Sequence, residues 1–153
     1  MGQQQLLLII LGVVIVGIAI AVGLQLFQAG AVDSNQDAMI NDIMNISANA
    51  DQWRIRPVSM GGGDGQFTNA IGEKLEANDR LMETANASYS VEVVAGTETT
   101  SGSVTITGES NQGYGTVILT YDPDAETEAL RYTWTGTHEG GIGGTPDSGD
   151  GTT

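Results

Sequence analysis

The residues of this chain whose types could do chemistry are few, and their spacing gives them little to do. His138 is the single histidine, and it stands between Thr137 and Glu139 with no serine or cysteine motif beside it, so no nucleophile–base pair forms around it. Asp122-Pro123-Asp124-Ala125-Glu126 would offer carboxylate oxygens to calcium, but the spacing and the glycine of an EF-hand loop are missing. Asp and Pro in those places are the residues of a polar hairpin turn. Gly61-Gly62-Gly63-Asp64-Gly65 has the composition of a phosphate cradle without the Gly-Lys-Ser/Thr and the helix start that such a cradle needs, and it reads as a flexible loop. The chain has no cysteine, which excludes a disulfide framework, a thiolate metal site, a cysteine nucleophile and c-type haem attachment. Two triplets, Asn45-Ile46-Ser47 and Asn86-Ala87-Ser88, match the glycosylation acceptor; Asn45 falls on an expected helix, which leaves Asn86 as the candidate. Neither an enzyme nor a bound metal or cofactor is expected.

The charges are distributed more informatively than the reactive groups. Nineteen acids face five bases, a net charge of −14, and every one of them lies at or beyond Asp33. Among the bases only Arg54 and Arg56 stand close together, so the clustered Lys and Arg that phosphate backbones require are lacking and no nucleic acid partner is expected. An acidic surface of this kind favours solubility and is common on exported proteins.

Ahead of Asp33 the chain has a different character. From Leu6 to Phe27 it reads LLLIILGVVIVGIAIAVGLQLF, apolar on every side. At 1.5 Å per residue this makes a helix of about 33 Å, enough to cross the hydrocarbon core of a bilayer. The run is longer than a secretory signal's apolar region and has no basic start, although Ala29-Gly30-Ala31 resembles a cleavage site. Gly12, Gly17, Ala19, Ala21 and Gly23 are small; Gly17/Ala21 and Ala19/Gly23 are spaced to let helix backbones approach closely in lipid. The expectation is a membrane segment at residues 1–30 that packs against other helices.

The helix is expected to continue beyond that segment. Met39, Ile40, Ile43, Ile46, Ala50 and Trp53 recur at the helical period, with Asp37, Asp42 and Asp51 between them, and Pro57 forbids continuation. Residues 31–56 are thus an amphipathic extension, giving one helix over residues 3–55. A short helix is expected around Ile71 to Met82. From Tyr89 the period changes to two, and four strands are expected at Tyr89–Ala95, Ser103–Thr107, Thr116–Tyr121 and Leu130–Thr135, joined by the connections Gly96–Gly102 and Gly108–Gly115. Ile43, Ile46, Ala50 and Trp53 would cover one face of that sheet, against Val91, Val104, Val117 and Trp134. Residues 57–138 form this loop-and-sheet head, and residues 139–153 a Gly/Asp-rich flexible tail. The fold class is α+β, a long helix on a four-stranded antiparallel sheet.

In layout, the chain resembles a type IV pilin. The residue-level likeness lies in the first thirty positions, where Met1-Gly2-Gln3-Gln4-Gln5-Leu6 is similar to the start of archaeal-type pilins at their processing site. The resemblance implies insertion in the cytoplasmic membrane, trimming by a prepilin peptidase after a glycine (either Met1 is already the mature end or Met1-Gly2 is removed), and polymerisation by pilus assembly machinery into an extracellular homopolymer. It assigns Gln3, Gln4, Gln5, Leu6, Leu11, Gly12, Ile15, Gly17, Ala19, Ala21, Gly23 and Phe27 to the filament core. Bacterial pilins carry a glutamate just before the apolar run where this chain has Gln5, and many bend that helix at a proline absent here. Two other readings share the layout: a monomeric, single-pass membrane-anchored binding module, and a pseudopilin of a type II secretion-like machine.

Overall fold

The computed structural model describes residues 2–126 and 130–136. The chain divides into two compact units, Met1–Ser34 and Asn35–Thr153. Its first element is the helix α1 (Gly2–Ile55), which contains no proline and no interruption between Phe27 and Asp37. Residues 2–34 of α1 make up the first unit, and the rest of the helix belongs to the second.

In the second unit α1 is followed by a 3-10 turn at Val58–Met60, two short helices, α2 (Asn69–Glu76) and α3 (Asp79–Met82), and four strands. The strands β1 (Ala87–Thr97), β2 (Thr100–Ser110), β3 (Gly115–Tyr121) and β4 (Leu130–Gly136) form an antiparallel sheet in sequential order. The class is α+β, with a long helix on a four-stranded antiparallel sheet. The single helix expected around Ile71 to Met82 is instead two, broken at Ala77-Asn78.

Register explains the core. Cross-strand neighbours align as Tyr89–Gly108–Val117–Trp134, Val91–Ile106–Leu119–Tyr132 and Val93–Val104–Tyr121–Leu130. Alternation puts all twelve on one face of the sheet. Met39, Ile43, Ile46 and Ala50 of α1 are fully buried with that face, and Phe67, Ile71 and Leu75 close the same core. Trp53 and Trp134 lie half-buried at its margin rather than within it.

Three polar groups on α1 flank the apolar stripe and fasten it. Asn35 donates from Nδ2 to the Asn86 carbonyl (3.3 Å) and accepts from the Ser110 hydroxyl (2.9 Å). Asp42 accepts from the Tyr89 hydroxyl (2.9 Å) and from Thr84 Oγ1 (3.1 Å). Asp51 accepts from the Tyr121 hydroxyl (3.1 Å) and pairs with Arg54 (2.7 Å). Each bond to a carboxylate is of the stronger, charge-assisted kind.

Three glycine-rich stretches depart from expectation. The Gly61–Gly65 segment is no loose loop: it closes the end of α1. Gly63, Asp64 and Gly65 donate their N–H groups to the carbonyls of Trp53, Arg56 and Arg54, and Gly61 and Gly62 donate to Val58 and Pro57. Helix ends leave such carbonyls without partners, and here the backbone supplies them. A Cβ on Gly62 would fall 2.2 Å from the Arg56 carbonyl oxygen, so only glycine fits. The expected Gly96–Gly102 connection is strand up to a two-residue turn at Glu98-Thr99. Within it Gly96 and Ser101 do not pair with each other; the Phe67 backbone bridges them instead, its N–H donating to the Ser101 carbonyl and its carbonyl accepting from the Gly96 N–H. The β2–β3 connection begins only after Ser110, with Gly113 at positive φ.

Candidate assembly surface

The first unit is one helix made of side chains that water should repel. Large apolar residues occur on every side of it, so α1 there has no polar face to turn toward solvent. Leu6, Leu11, Ile15 and Phe27 are each more than half exposed, Phe27 at 79%. Ordinary proteins scatter single exposed apolar residues, but they do not expose a contiguous apolar surface of this extent without something to cover it. By length and composition, α1 is the one described helix able to cross a membrane. Gln3, Gln4 and Gln5 are helical and exposed ahead of the run.

The glycines sharpen the point. Each glycine in a helix costs about 1 kcal/mol relative to alanine, so a helix that keeps several needs a reason. A Cβ built on Gly12, Gly17, Gly23 or Gly30 meets nothing within 4 Å. Elsewhere in the chain the reason is visible: Gly108 and Gly62 are crowded by neighbouring atoms. In the apolar helix nothing among the described residues uses the space. Ala19 and Ala21 are likewise exposed.

Residues singled out for other chemistry are engaged locally or lie elsewhere. All five N–H groups of Gly61–Gly65 are spent on backbone carbonyls, so none converges on an anion. The Asp124 carboxylate accepts from the Ser101 N–H and hydroxyl, and Asp122 Oδ1 accepts from the Asp124 N–H (3.0 Å), which makes the segment a hydrogen-bonded turn. Among the described residues no group of three or more acids or histidines is arranged to hold a metal. Asn86 is half-buried between α3 and β1, its backbone carbonyl taken by Asn35 and Asn111. His138 and the tail at residues 139–153 lie outside the described residues.

The helix–sheet core gathers Ile43, Ile46, Ala50, Val91, Val104 and Val117, with the two tryptophans at its edge. Sequence reasoning passed over Phe67, Ile71 and Leu75 as core; Ile71 and Leu75, four apart on α2, carry a helical signal, whereas Phe67 lies ahead of that helix. It also missed the three polar fastenings, whose partners lie 42 to 75 residues away.

No protein-family model, curated protein or solved structure matches this chain.

Proposed function

We propose that this chain is a pilin-like structural subunit of an extracellular helical filament, assembled through the apolar part of α1. One observation carries the reading: an uncharged helix, apolar all round and exposed, keeps four glycines that nothing among the described residues approaches. A simple anchor needs the apolar surface but has no use for the glycines. A bundle of identical helices needs both, because backbones approach closely where side chains are absent. Before assembly the segment sits in the cytoplasmic membrane; in the filament, neighbouring copies replace lipid. Covering each large aliphatic side chain is worth about 1.5–3 kcal/mol relative to water, which would hold the polymer together outside the membrane. The acidic α+β head coats the outside, where like charge keeps filaments dispersed.

The test is Ile15→Lys, examined by electron microscopy of sheared surface fractions. A lysine in a lipid-like core costs about 2.5–3.5 kcal/mol per copy, so fibres should vanish while the second unit stays folded. Ile43→Asp should act the other way round, unfolding the head by placing an unpaired carboxylate in its core. Normal fibres from Ile15→Lys would refute the proposal, and wild-type protein that stays in the membrane without fibres would favour an anchored monomer.

A further inference from the structure

The end of α1 carries a feature that the assembly of apolar helices does not use. Of the five bases in a chain of net charge −14, Arg54, Arg56 and Lys74 gather there. Arg54 is paired with Asp51. Arg56 and Lys74 have no carboxylate partner among the described residues; each lies instead over the Trp53 ring, at 4.2 and 4.5 Å from its centroid. Two cations left unneutralised among nineteen acids make a positive island on an acidic surface.

Beside them, Ile55, Val58 and Met60 are 61%, 69% and 71% exposed. The backbone that presents them is rigid. Gly61 to Gly65 bond back to the last carbonyls of α1 and to the turn, and Lys74 Nζ donates to the Gly61 carbonyl. Side chains held this way lose little freedom on binding, which favours association.

We propose that this surface (Ile55, Arg56, Val58, Met60 and Lys74) docks on the acidic face of a second copy of this chain. Charge complementarity selects the occupant. Glu73 and Glu76 on α2, Asp79 on α3 and Glu83 just after it are exposed, and among the described residues their carboxylates enter no side-chain hydrogen bond or ion pair; Lys74 and Arg80 lie among them, and the stretch stays net acidic. The cationic surface of one copy thus meets this acidic stretch of the next. This deepens the assembly reading and rests on it only for the identity of the partner as another copy.

The experiment uses the full chain in nonionic detergent, where the micelle covers the apolar helix and contacts between heads can be read separately from fibres. Sedimentation should show association at low salt that weakens about tenfold as exposed charges are screened. R56E with K74E should abolish it, and adding E76K with E83K to that variant should restore it. Val58→Ser with Met60→Ser, at exposed positions that leave the fold intact, should weaken it as well. Absence of association in the wild type, association indifferent to salt or to R56E/K74E, or failure of the charge swap to restore it would each overturn the docking proposal. None of these results would touch the filament reading, which stands or falls on Ile15→Lys.

Discussion

The ring of Tyr89 lies across Gly108, its cross-strand partner: a Cβ on Gly108 would stand 2.6 Å from Tyr89 Cε1 and 2.7 Å from Cδ1. The missing side chain lets the ring lie down along the sheet, and that posture carries its hydroxyl to Asp42 on α1. A strand glycine, normally a weakness, here sets how helix and sheet are fastened. Trp134 makes similar use of the paired glycines Gly115 and Gly136, where a Cβ on either would fall 2.7 Å from the indole.

Gly108→Ala should therefore cost more than an alanine in a strand usually does. The ring must lift, straining the core and lengthening the Tyr89–Asp42 hydrogen bond, at a cost of about 1–3 kcal/mol for overpacking. Denaturant unfolding of the full chain in detergent, followed by tryptophan fluorescence, should show a lower midpoint. An unchanged midpoint would mean that the ring has another place to go.

The same tyrosine makes stability depend on alkaline pH. Burial first, and then the hydrogen bond and charge of Asp42, raise the Tyr89 phenol above its ordinary value of about 10; burial and Asp51 raise Tyr121 likewise. A group with a raised value in the folded state holds its proton longer there than in the unfolded chain. Its contribution is therefore whole below about pH 10 and is lost as pH climbs beyond that. Wild-type stability should fall on raising the pH past 10, and Tyr89→Phe with Tyr121→Phe should flatten that fall. Equal slopes in the two proteins would count against the tyrosines as the titrating groups.

Much of this architecture is legible in the residues themselves. Met39, Ile43, Ile46 and Ala50 announce a one-sided helix, and alternation from Tyr89 onward announces the sheet, because burial on one face imposes those periods directly. The exposed apolar helix is legible for the same reason, since a run of this length with no polar face cannot be covered by the small head that follows it. What escaped depends on distant partners. Gly61–Gly65 reads as a loose loop until the carbonyls of α1 are seen to need its N–H groups. Gly96 and Gly102 read as a connection because nothing local shows that the Phe67 backbone will bridge their strands. Asn35, Asp42 and Asp51 look like surface polars, and only the folded chain brings hydroxyls to them.

The apolar glycines offer a prediction in which stability and assembly move apart. Gly17→Leu adds a side chain where the single chain has open space, and leucine is the better helix former by most of 1 kcal/mol. Helicity of the detergent-solubilised chain should be unchanged or slightly higher. Fibre yield should drop sharply, because the added bulk holds neighbouring backbones apart. If Gly17→Leu and Gly23→Leu both assemble like the wild type, the glycines are ordinary membrane-helix composition.

The last prediction concerns the polar start of α1. Pilins that this chain resembles place a carboxylate ahead of the apolar run, where it balances a charge as a subunit docks. Here Gln3, Gln4 and Gln5 are the polar side chains before Gln25, and all three are helical and exposed. A glutamine amide offers two donors and an acceptor but no charge, so it cannot neutralise an ion pair's partner. It can satisfy a neighbouring helix's backbone or another glutamine, and in an apolar surrounding an amide left without such a partner costs about 1–3 kcal/mol. If the chain assembles as proposed, we expect the three amides to bond between adjacent subunits, holding register where the pilins it resembles use charge. Gln5→Ala should then slow assembly or lower fibre yield. Fibre yield measured by electron microscopy and pelleting gives the answer. Gln5→Ala filaments as abundant and as regular as wild type would show that Gln5 has no part in docking.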